Sequence, residues 1–244
     1  MVLNLFIICG VKTLILADTH FSAQFESACY KAIIRLIRSV DRVIINGDFW
    51  DDYLTTFDKF VTSDWQQLFP LLKQKQTIYI YGNHDREAFC DKRVKLFSVQ
   101  QMDKYILETK NQAFLIEHGH SLAKEFEERH PALTNIFRKF YPWIDFHSQG
   151  EGIPGPLIKY YIDFNHRRLW QTMLDQLKGN TDWLMGQKHL LVGHCHFQLS
   201  NPELRIQSLG SFRWGWARYG IIDENGLKMF ETRYNKLVAK SGKR

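Results

Sequence analysis

Five stretches of the chain share one form, an apolar run followed directly by side chains that can bind a metal ion. In one of them the run at residues 43–45 leads through Gly47 to Asp48 and Asp51. The candidate ligands that follow the five runs are Asp18, His20, Asp48, Asn83, His118, His194 and His196. Imidazole nitrogens with carboxylate and amide oxygens favour manganese, iron, zinc, cobalt or nickel over calcium. We therefore predict one site for two divalent transition metals, with Asp48 between them.

Hydrophobic periodicity predicts the elements that bring these residues together. Strands are expected at residues 12–17, 42–46, 77–81, 113–117 and 189–192, each ending just before a candidate ligand. The amphipathic pattern at residues 25–40 predicts a helix between the first two strands, which should then pair in parallel through a right-handed crossover. Because open α/β sheets bind ligands at the carboxyl ends of their strands, the candidate ligands should meet at one edge.

The remaining segments complete an α/β fold. We expect a helix at residues 60–74, a hairpin of strands at 105–109 and 113–117, and late strands at 205–209, 219–223 and 227–233. After the hairpin the strongest patterns are helical, at residues 122–140 and 157–177, and a breaker at 150–156 separates them. We therefore predict an α/β fold in a single domain, residues 1–244. A helical cap, inserted at about residues 121–180, should cover the carboxyl ends of the strands.

The composition is that of an ordinary globular protein, with 45% hydrophobic and 24% charged residues. A formal charge of +6 and a pI near 9.1 favour an anionic partner, or else reflect a mildly basic surface. No CxxC spacing links the four cysteines, which predicts reduced thiols and a cytoplasmic location. Cys195, between two candidate ligands, is expected to fill core space. Asn4 and Lys12 interrupt the apolar N-terminal run, which argues against a membrane span.

In this order the motifs resemble those of the calcineurin-like metallophosphoesterase superfamily. The family blocks are DxH, GDxxD, GNHD or GNHE, a later histidine after a strand, and GHxH. Here they stand at residues 18–20, 47–51, 82–85, 118 and 193–196. Each block is common by chance, whereas the ordered set is highly specific. The resemblance implies a four-layer αββα metallophosphoesterase sandwich and a hydrolase that acts on phosphoric ester or pyrophosphate bonds.

The resemblance also implies a role for each matched residue. One metal would be bound by Asp18, His20, Asp48 and His196, and the other by Asp48, Asn83, His118 and His194. Manganese is the expected metal, with iron, zinc, cobalt or nickel as alternatives. By the same resemblance, a hydroxide that bridges the metals attacks phosphorus. His84, with its tautomer fixed by Asp51, would stabilise or protonate the leaving oxygen.

Other polar residues have less motif support. His120, Arg138 and Arg167 are predicted substrate contacts, although a solvated helix face would also explain the two arginines. The aromatic residues of the predicted cap are either hydrophobic core or the lining of a lipid or nucleotide site. Asp52 and Asp85 are expected to begin helices or to support the ligands. The histidines expected to be structural are His130, His147, His166 and His189.

The helical insertion between the HGH and GHCH blocks is similar to that of the UDP-2,3-diacylglucosamine hydrolases of lipid A synthesis, which cleave a pyrophosphate. Those enzymes carry arginine at the position of His84. An alkoxide leaving group benefits from a proton donor, whereas a phosphate leaving group mainly needs charge neutralisation. His84 therefore favours a phosphomonoester or phosphodiester without excluding a pyrophosphate.

The predicted partner is a small-molecule or lipid-linked phosphate, with peripheral association at a membrane surface as a further expectation. No obligate protein partner is indicated. A nuclease or cyclic-nucleotide phosphodiesterase is the main alternative, although the sequence shows no long basic-aromatic groove for nucleic acid. A non-catalytic metal-bound scaffold is a further alternative, which the complete ligand set and His84 argue against.

Overall fold

The structure, a computed structural model, describes residues 10–124, 129–130, 156–186 and 188–239. The strands in chain order are β1 Thr13–Leu16, β2 Arg42–Asn46, β3 Ile78–Ile80, β4 Gln100–Met102, β5 Lys104–Glu108, β6 Ala113–Glu117, β7 His189–Val192, β8 Gln198–Asn201, β9 Ile206–Leu209, β10 Phe212–Arg213, β11 Trp216–Asp223 and β12 Gly226–Arg233. The helices are α1 Ser27–Arg38, α2 Phe57–Thr62, α3 Phe69–Gln74, α4 Pro156–Lys178, α5 Thr181–Met185 and α6 Tyr234–Ala239. Shorter 3-10 helices cover Asp64–Leu68, Glu87–Phe89 and Lys92–Leu96.

Two sheets form the centre of the fold. The first has the strand order β10-β11-β1-β2-β3-β4, with β12 paired to β11, and the second has the order β5-β6-β7-β9-β8. Strands β1 to β4 pair in parallel, and so do β6, β7 and β9. The predicted parallel pairing of the first two strands is therefore confirmed. All five strands that precede candidate ligands lie in these parallel parts of the two sheets.

Hydrophobic side chains separate four layers. Ile15, Ile44 and Leu191 belong to the cluster between the two sheets. Ile33 of α1 packs on the outer face of the first sheet, and Met173 of α4 packs on the outer face of the second. Because alternate residues of a strand face opposite sides, each sheet contributes to two of these clusters. The predicted αββα sandwich is confirmed.

The predicted helix at residues 60–74 is divided in the structure into α2, a 3-10 helix at Asp64–Leu68 and α3. Ser63 is the break, because its backbone is extended, with φ of −74° and ψ of 173°. Its hydroxyl accepts a hydrogen bond from the Trp65 N–H and so starts the next turn. Pro70, which lacks an N–H, is tolerated because it lies in the first turn of α3.

The predicted helix at residues 157–177 is confirmed as α4. Its C-terminal half packs on the second sheet through Leu169 and Met173. A turn covers residues 120–122, where the predicted helix at 122–140 should begin, and most of that segment lies outside the described residues. The single domain with an inserted cap at about residues 121–180 stays a prediction. Within the described ranges, no helix combines the length and apolar character that crossing a membrane requires.

Candidate metal centre

Most candidate ligands occupy unusual backbone conformations where their strands end. Asp18, His20, Asp48, His194 and His196 all have φ in the left-handed region, between 47° and 63°. Few residues other than glycine adopt this conformation, and Asp and His are among those that tolerate it best. Such strain costs about 1–3 kcal/mol per residue and persists only where the surrounding structure enforces it. Its concentration in these loops indicates a functional site.

Asp18, His20 and His196 form a first group, whose ligand atoms lie within 4.8 Å of one another. The Nε2 atoms of His20 and His196 are 3.0 Å apart, and they lie 3.9 Å and 3.5 Å from Asp18 Oδ1. The backbone N–H of His194 donates to both oxygens of Asp18 at 3.0 Å. This bond ties the loop after β7 to the loop after β1.

Asp48, His118 and His194 form a second group with the same spacing. His118 Nε2 lies 3.2 Å from Asp48 Oδ2 and 3.0 Å from Asn83 Oδ1. The four side chains are all buried. The structure thus brings together the four residues predicted for the second metal.

Asp48 lies between the two groups. Its Oδ2 is 3.2 Å from His118 Nε2 and 3.6 Å from His20 Nε2, so one carboxylate reaches a member of each group. Its Oδ1 accepts a hydrogen bond of 2.9 Å from the backbone N–H of His84. A carboxylate in this position has two oxygens with which it can bind two cations.

Hydrogen bonds at the periphery direct imidazole lone pairs into the centre. Nδ1 of His118 donates to the Asn46 carbonyl at 3.1 Å, and Nε2 of His194 donates to the Ala123 carbonyl at 2.7 Å. In a neutral imidazole the other nitrogen then carries the lone pair, so Nε2 of His118 and Nδ1 of His194 can bind metal. Lone pairs that converge in this way repel one another unless a metal ion or a proton lies among them. The donor set therefore fits divalent transition metals.

Asp51 holds two imidazoles at once. Its Oδ2 accepts from His20 Nδ1 at 2.9 Å, and its Oδ1 accepts from His84 Nδ1 at 3.1 Å. The sequence predicted the contact with His84 but not the one with His20. Burial alone would raise the pKa of the Asp51 carboxyl, but the two imidazoles hold that pKa below its ordinary value. The His84 and His20 ring centroids are 4.8 Å apart. His84, the residue predicted to protonate the leaving oxygen, therefore lies beside the first group of candidate ligands.

Two buried carboxylates, those of Asp18 and Asp48, lie close enough to His118 to affect its protonation. Burial raises the pKa of Asp18, and the neighbouring Asp48 carboxylate raises it further. Burial also opposes protonation of His118, but Asp48 raises the His118 pKa to about 10. The field that favours a proton on His118 also favours a divalent cation beside it.

Two motif glycines are required by close packing. A Cβ atom at Gly82 would overlap Asp48 Oδ1, and a Cβ atom at Gly47 would overlap the His118 ring. Gly47 also has φ of 77°, which side chains with a Cβ rarely adopt. Gly82 therefore lets the loop after β3 approach Asp48, and Gly47 lets the loop after β2 approach His118.

Asp85 ties the loop after β2 to the loop after β3. It accepts hydrogen bonds from the backbone N–H groups of Phe49 at 2.7 Å and Gly82 at 2.6 Å, and from the Tyr79 hydroxyl at 2.6 Å. Burial raises the pKa of Asp85 to about 6, and Asp48 adds to the rise. Asp85 therefore has the supporting role that the sequence analysis expected.

The three predicted substrate contacts differ in position. The His120 ring lies 5.6 Å from the His118 ring, and His120 belongs to neither group of candidate ligands. Burial and the histidines beside it lower the pKa of His120 to about 3. Arg167 is exposed on α4, with its guanidinium 5.9 Å from the centre of the Phe197 ring. Arg138 lies outside the described residues, and all three contacts stay predictions.

Helix α4 brings a residue to the centre that no motif indicated. The His166 ring is buried and lies 4.1 Å from the His196 ring. His166 shares a helix face with the core residues Leu169 and Met173, and this spacing was the available sequence signal. Met173 Sδ also lies 3.7 Å from the buried Cys195 Sγ, which confirms that Cys195 fills core space.

The calcineurin-like phosphoesterase family model matches residues 11–227. No curated protein matches the chain in sequence. Similar solved structures include the phosphoesterase YfcE from E. coli, with 15% identity, TM-score 0.45, and coverage of 92% of this chain and 100% of that chain. Zinc-complexed Vps29 from Entamoeba histolytica has 11% identity, TM-score 0.42 and coverage of 92% and 99%. The protein AQ665 from Aquifex aeolicus, described as of unknown function, has 17% identity, TM-score 0.41 and coverage of 82% and 89%.

Proposed function

Because the chain belongs to the calcineurin-like phosphoesterase family, we propose that it is a dinuclear metal-dependent hydrolase of phosphate esters. The observation that carries the proposal is the convergence of two His/Asp groups on Asp48. We assign Asp18, His20, Asp48 and His196 to one metal, and Asp48, Asn83, His118 and His194 to the other. Manganese is the proposed metal, with iron, zinc, cobalt and nickel as alternatives for the same donors.

Two bound cations would supply Lewis acidity that stabilises charge on a phosphoryl oxygen and makes a water molecule more acidic. The residues of the chain supply orientation and a proton. Asp51 accepts from Nδ1 of His84, and its charge stabilises the imidazolium form of that side chain. Imidazolium can give its Nε2 proton to the leaving oxygen. Asp51 also fixes His20, so one carboxylate couples metal binding to proton transfer.

The proposed substrate is a phosphomonoester, a phosphodiester, or a nucleotide-sugar or lipid pyrophosphate of the kind cleaved by UDP-2,3-diacylglucosamine hydrolases. His84 supports an ester with a basic leaving group, since such a group gains most from a proton donor. We also propose a cytoplasmic location, which Cys29 and Cys90 support because neither forms a disulfide with a described cysteine. A metal-bound scaffold without activity is the alternative that the experiment must exclude.

The test is hydrolysis of p-nitrophenyl phosphate and bis-p-nitrophenyl phosphate by chelator-treated protein. Adding Mn²⁺ should restore activity. Asp48→Asn should abolish it, because an asparagine side chain has one neutral amide oxygen in place of the two carboxylate oxygens that can bind two cations. Asp58→Asn, at an exposed carboxylate paired with Arg93, is the matched control and should behave as wild type. Metal binding without turnover of either ester would favour the scaffold and contradict the proposal.

A second assay tests the role of His84. His84→Ala should slow hydrolysis of phenyl phosphate by about 10²–10⁴-fold, the usual range for acid–base help. The loss should be clearly smaller for p-nitrophenyl phosphate, whose leaving group needs little protonation. Equal losses for the two esters would show that His84 does not act as the proton donor.

A further inference from the structure

Guanidinium groups and aromatic rings alternate in a series of contacts beside the metal centre. Arg167 and Arg218 lie 5.9 Å and 5.8 Å from the centre of the Phe197 ring. Arg218 is also 5.3 Å from the Trp216 ring, and Arg233 is 3.8 Å from it. We call Arg167, Phe197, Arg218, Trp216 and Arg233 the arginine ladder. Helix α4, the loop after His196, β11 and β12 all contribute to it.

The ladder begins at the metal centre. Phe197 follows the candidate ligand His196 directly in the chain. The Trp214 ring lies 6.4 Å from the His196 ring and carries the Arg213 guanidinium 4.9 Å from its own centre. Trp214 has φ of 53° in the tight turn between β10 and β11, a conformation that bulky residues rarely adopt. The strained turn holds a further arginine–aromatic pair beside the candidate ligand His196.

The ladder has more positive charge than its described surroundings neutralise. Arg218 Nε donates to Glu231 at 2.6 Å. Neither Arg167 nor Arg233 forms an ion pair with a carboxylate in the described ranges. Arg93 is a useful contrast, because its guanidinium also lies near an aromatic ring, 5.6 Å from the centre of Phe57, but forms ion pairs with both Asp58 and Asp91. Stacked guanidinium groups without carboxylate partners keep their N–H donors available for an anion.

We propose that the arginine ladder binds single-stranded nucleic acid and leads its phosphodiester backbone to the metal centre. Arginine recognises phosphate through paired N–H donors, and aromatic side chains stack on bases without selecting a sequence. Phe197, Trp216, Arg218 and Arg233 are only partly exposed, so a narrow strand fits this surface better than the flat face of a bilayer. The inference rests on the proposed function, because it names a substrate class for the same site.

The test is fluorescence anisotropy of a labelled thymidine oligonucleotide with the full chain in EDTA. The wild-type protein should bind, and its affinity should fall as salt rises. Arg167→Gln and Arg233→Gln should each weaken binding by about tenfold, as expected for lost hydrogen bonds to a charged group. Each should lower the slope of log affinity against log salt by about 0.7, the value for one phosphate contact on a single strand. Arg93→Gln is the matched control and should bind like wild type.

Arg167 is exposed, so its substitution leaves the core intact and keeps the test valid if Arg233→Gln fails to fold. Absence of binding by the wild-type protein would overturn the inference. So would equal affinities of Arg167→Gln and Arg93→Gln, or tighter binding to phosphatidylserine vesicles or uridine monophosphate than to the oligonucleotide. Because EDTA removes the metals, failure of the oligonucleotide to bind contradicts only the proposed role of the arginine ladder. Failure of the nitrophenyl ester assay contradicts the proposed function itself.

Discussion

Replacing Asp51 by asparagine should damage either metal binding or proton transfer. Each Asp51 oxygen accepts from one imidazole, His20 at 2.9 Å and His84 at 3.1 Å. An asparagine side chain has one acceptor oxygen and one NH₂ group, which only donates. One of the two imidazoles must therefore reverse its tautomer or lose its hydrogen bond.

Both outcomes lower the rate. If His84 loses its partner, the imidazolium loses the carboxylate that stabilises it, and up to about 10²–10⁴-fold of rate is lost. If His20 reverses, its Nε2 carries a hydrogen and cannot bind metal. Loss of such a supporting contact typically weakens metal affinity by about 10–100-fold. We expect Asp51→Asn to lower kcat/KM by at least about tenfold at limiting Mn²⁺.

The assay is the rate of phenyl phosphate hydrolysis across a Mn²⁺ titration, with metal affinity measured in parallel by calorimetry. A fall in rate that excess Mn²⁺ restores would assign the damage to His20, and one that persists at saturation would assign it to His84. Asp58→Asn serves again as the control at an exposed carboxylate. Wild-type rates and wild-type metal affinity in Asp51→Asn would refute the reasoning.

Two further predictions concern residues that support the ligands. Gly82→Ala should weaken metal binding, because the added Cβ would overlap the carboxylate of Asp48. Gly179→Ala is the control and should not, because its Cβ would have no neighbour closer than 3.7 Å. Equal metal affinities of the two variants by calorimetry would count against the packing argument. His166→Ala should lower the affinity for one metal by about tenfold, because the His196 ring loses the side chain packed 4.1 Å away. A biphasic titration should lose affinity in one phase only, and unchanged affinity in both phases would show that His166 is merely structural.

The sequence predicted best the parts of the site that follow strands. A run such as 43–45 marks a buried strand, and the polar residue after it must lie at the strand's carboxyl end. Strands β4, β8 and β10 were not predicted. Strands β4 and β8 are largely polar and β10 has only 2 residues, so hydrophobic patterns give little signal for them. The division of residues 60–74 depended on one extended residue, Ser63, inside an otherwise helical pattern.

Contacts made by packing were harder to predict than those made by topology. His166 meets His196 only because the apolar face of α4 fixes the rotation of that helix on the second sheet. The second partner of Asp51 depends on how two loops cross. The arginine ladder joins residues from three elements and a loop, and the local hint in the sequence was the group of two arginines and two tryptophans at residues 213–218.

The central claim is that Asp48 joins two cations in one centre. Electron paramagnetic resonance of the protein loaded with Mn²⁺ tests it most directly, because two manganese ions that share a ligand give an exchange-coupled spectrum. We predict that coupled spectrum at saturating Mn²⁺ in the wild-type protein and its loss in Asp48→Ala. A wild-type spectrum of isolated Mn²⁺ alone, at any loading, would contradict the account.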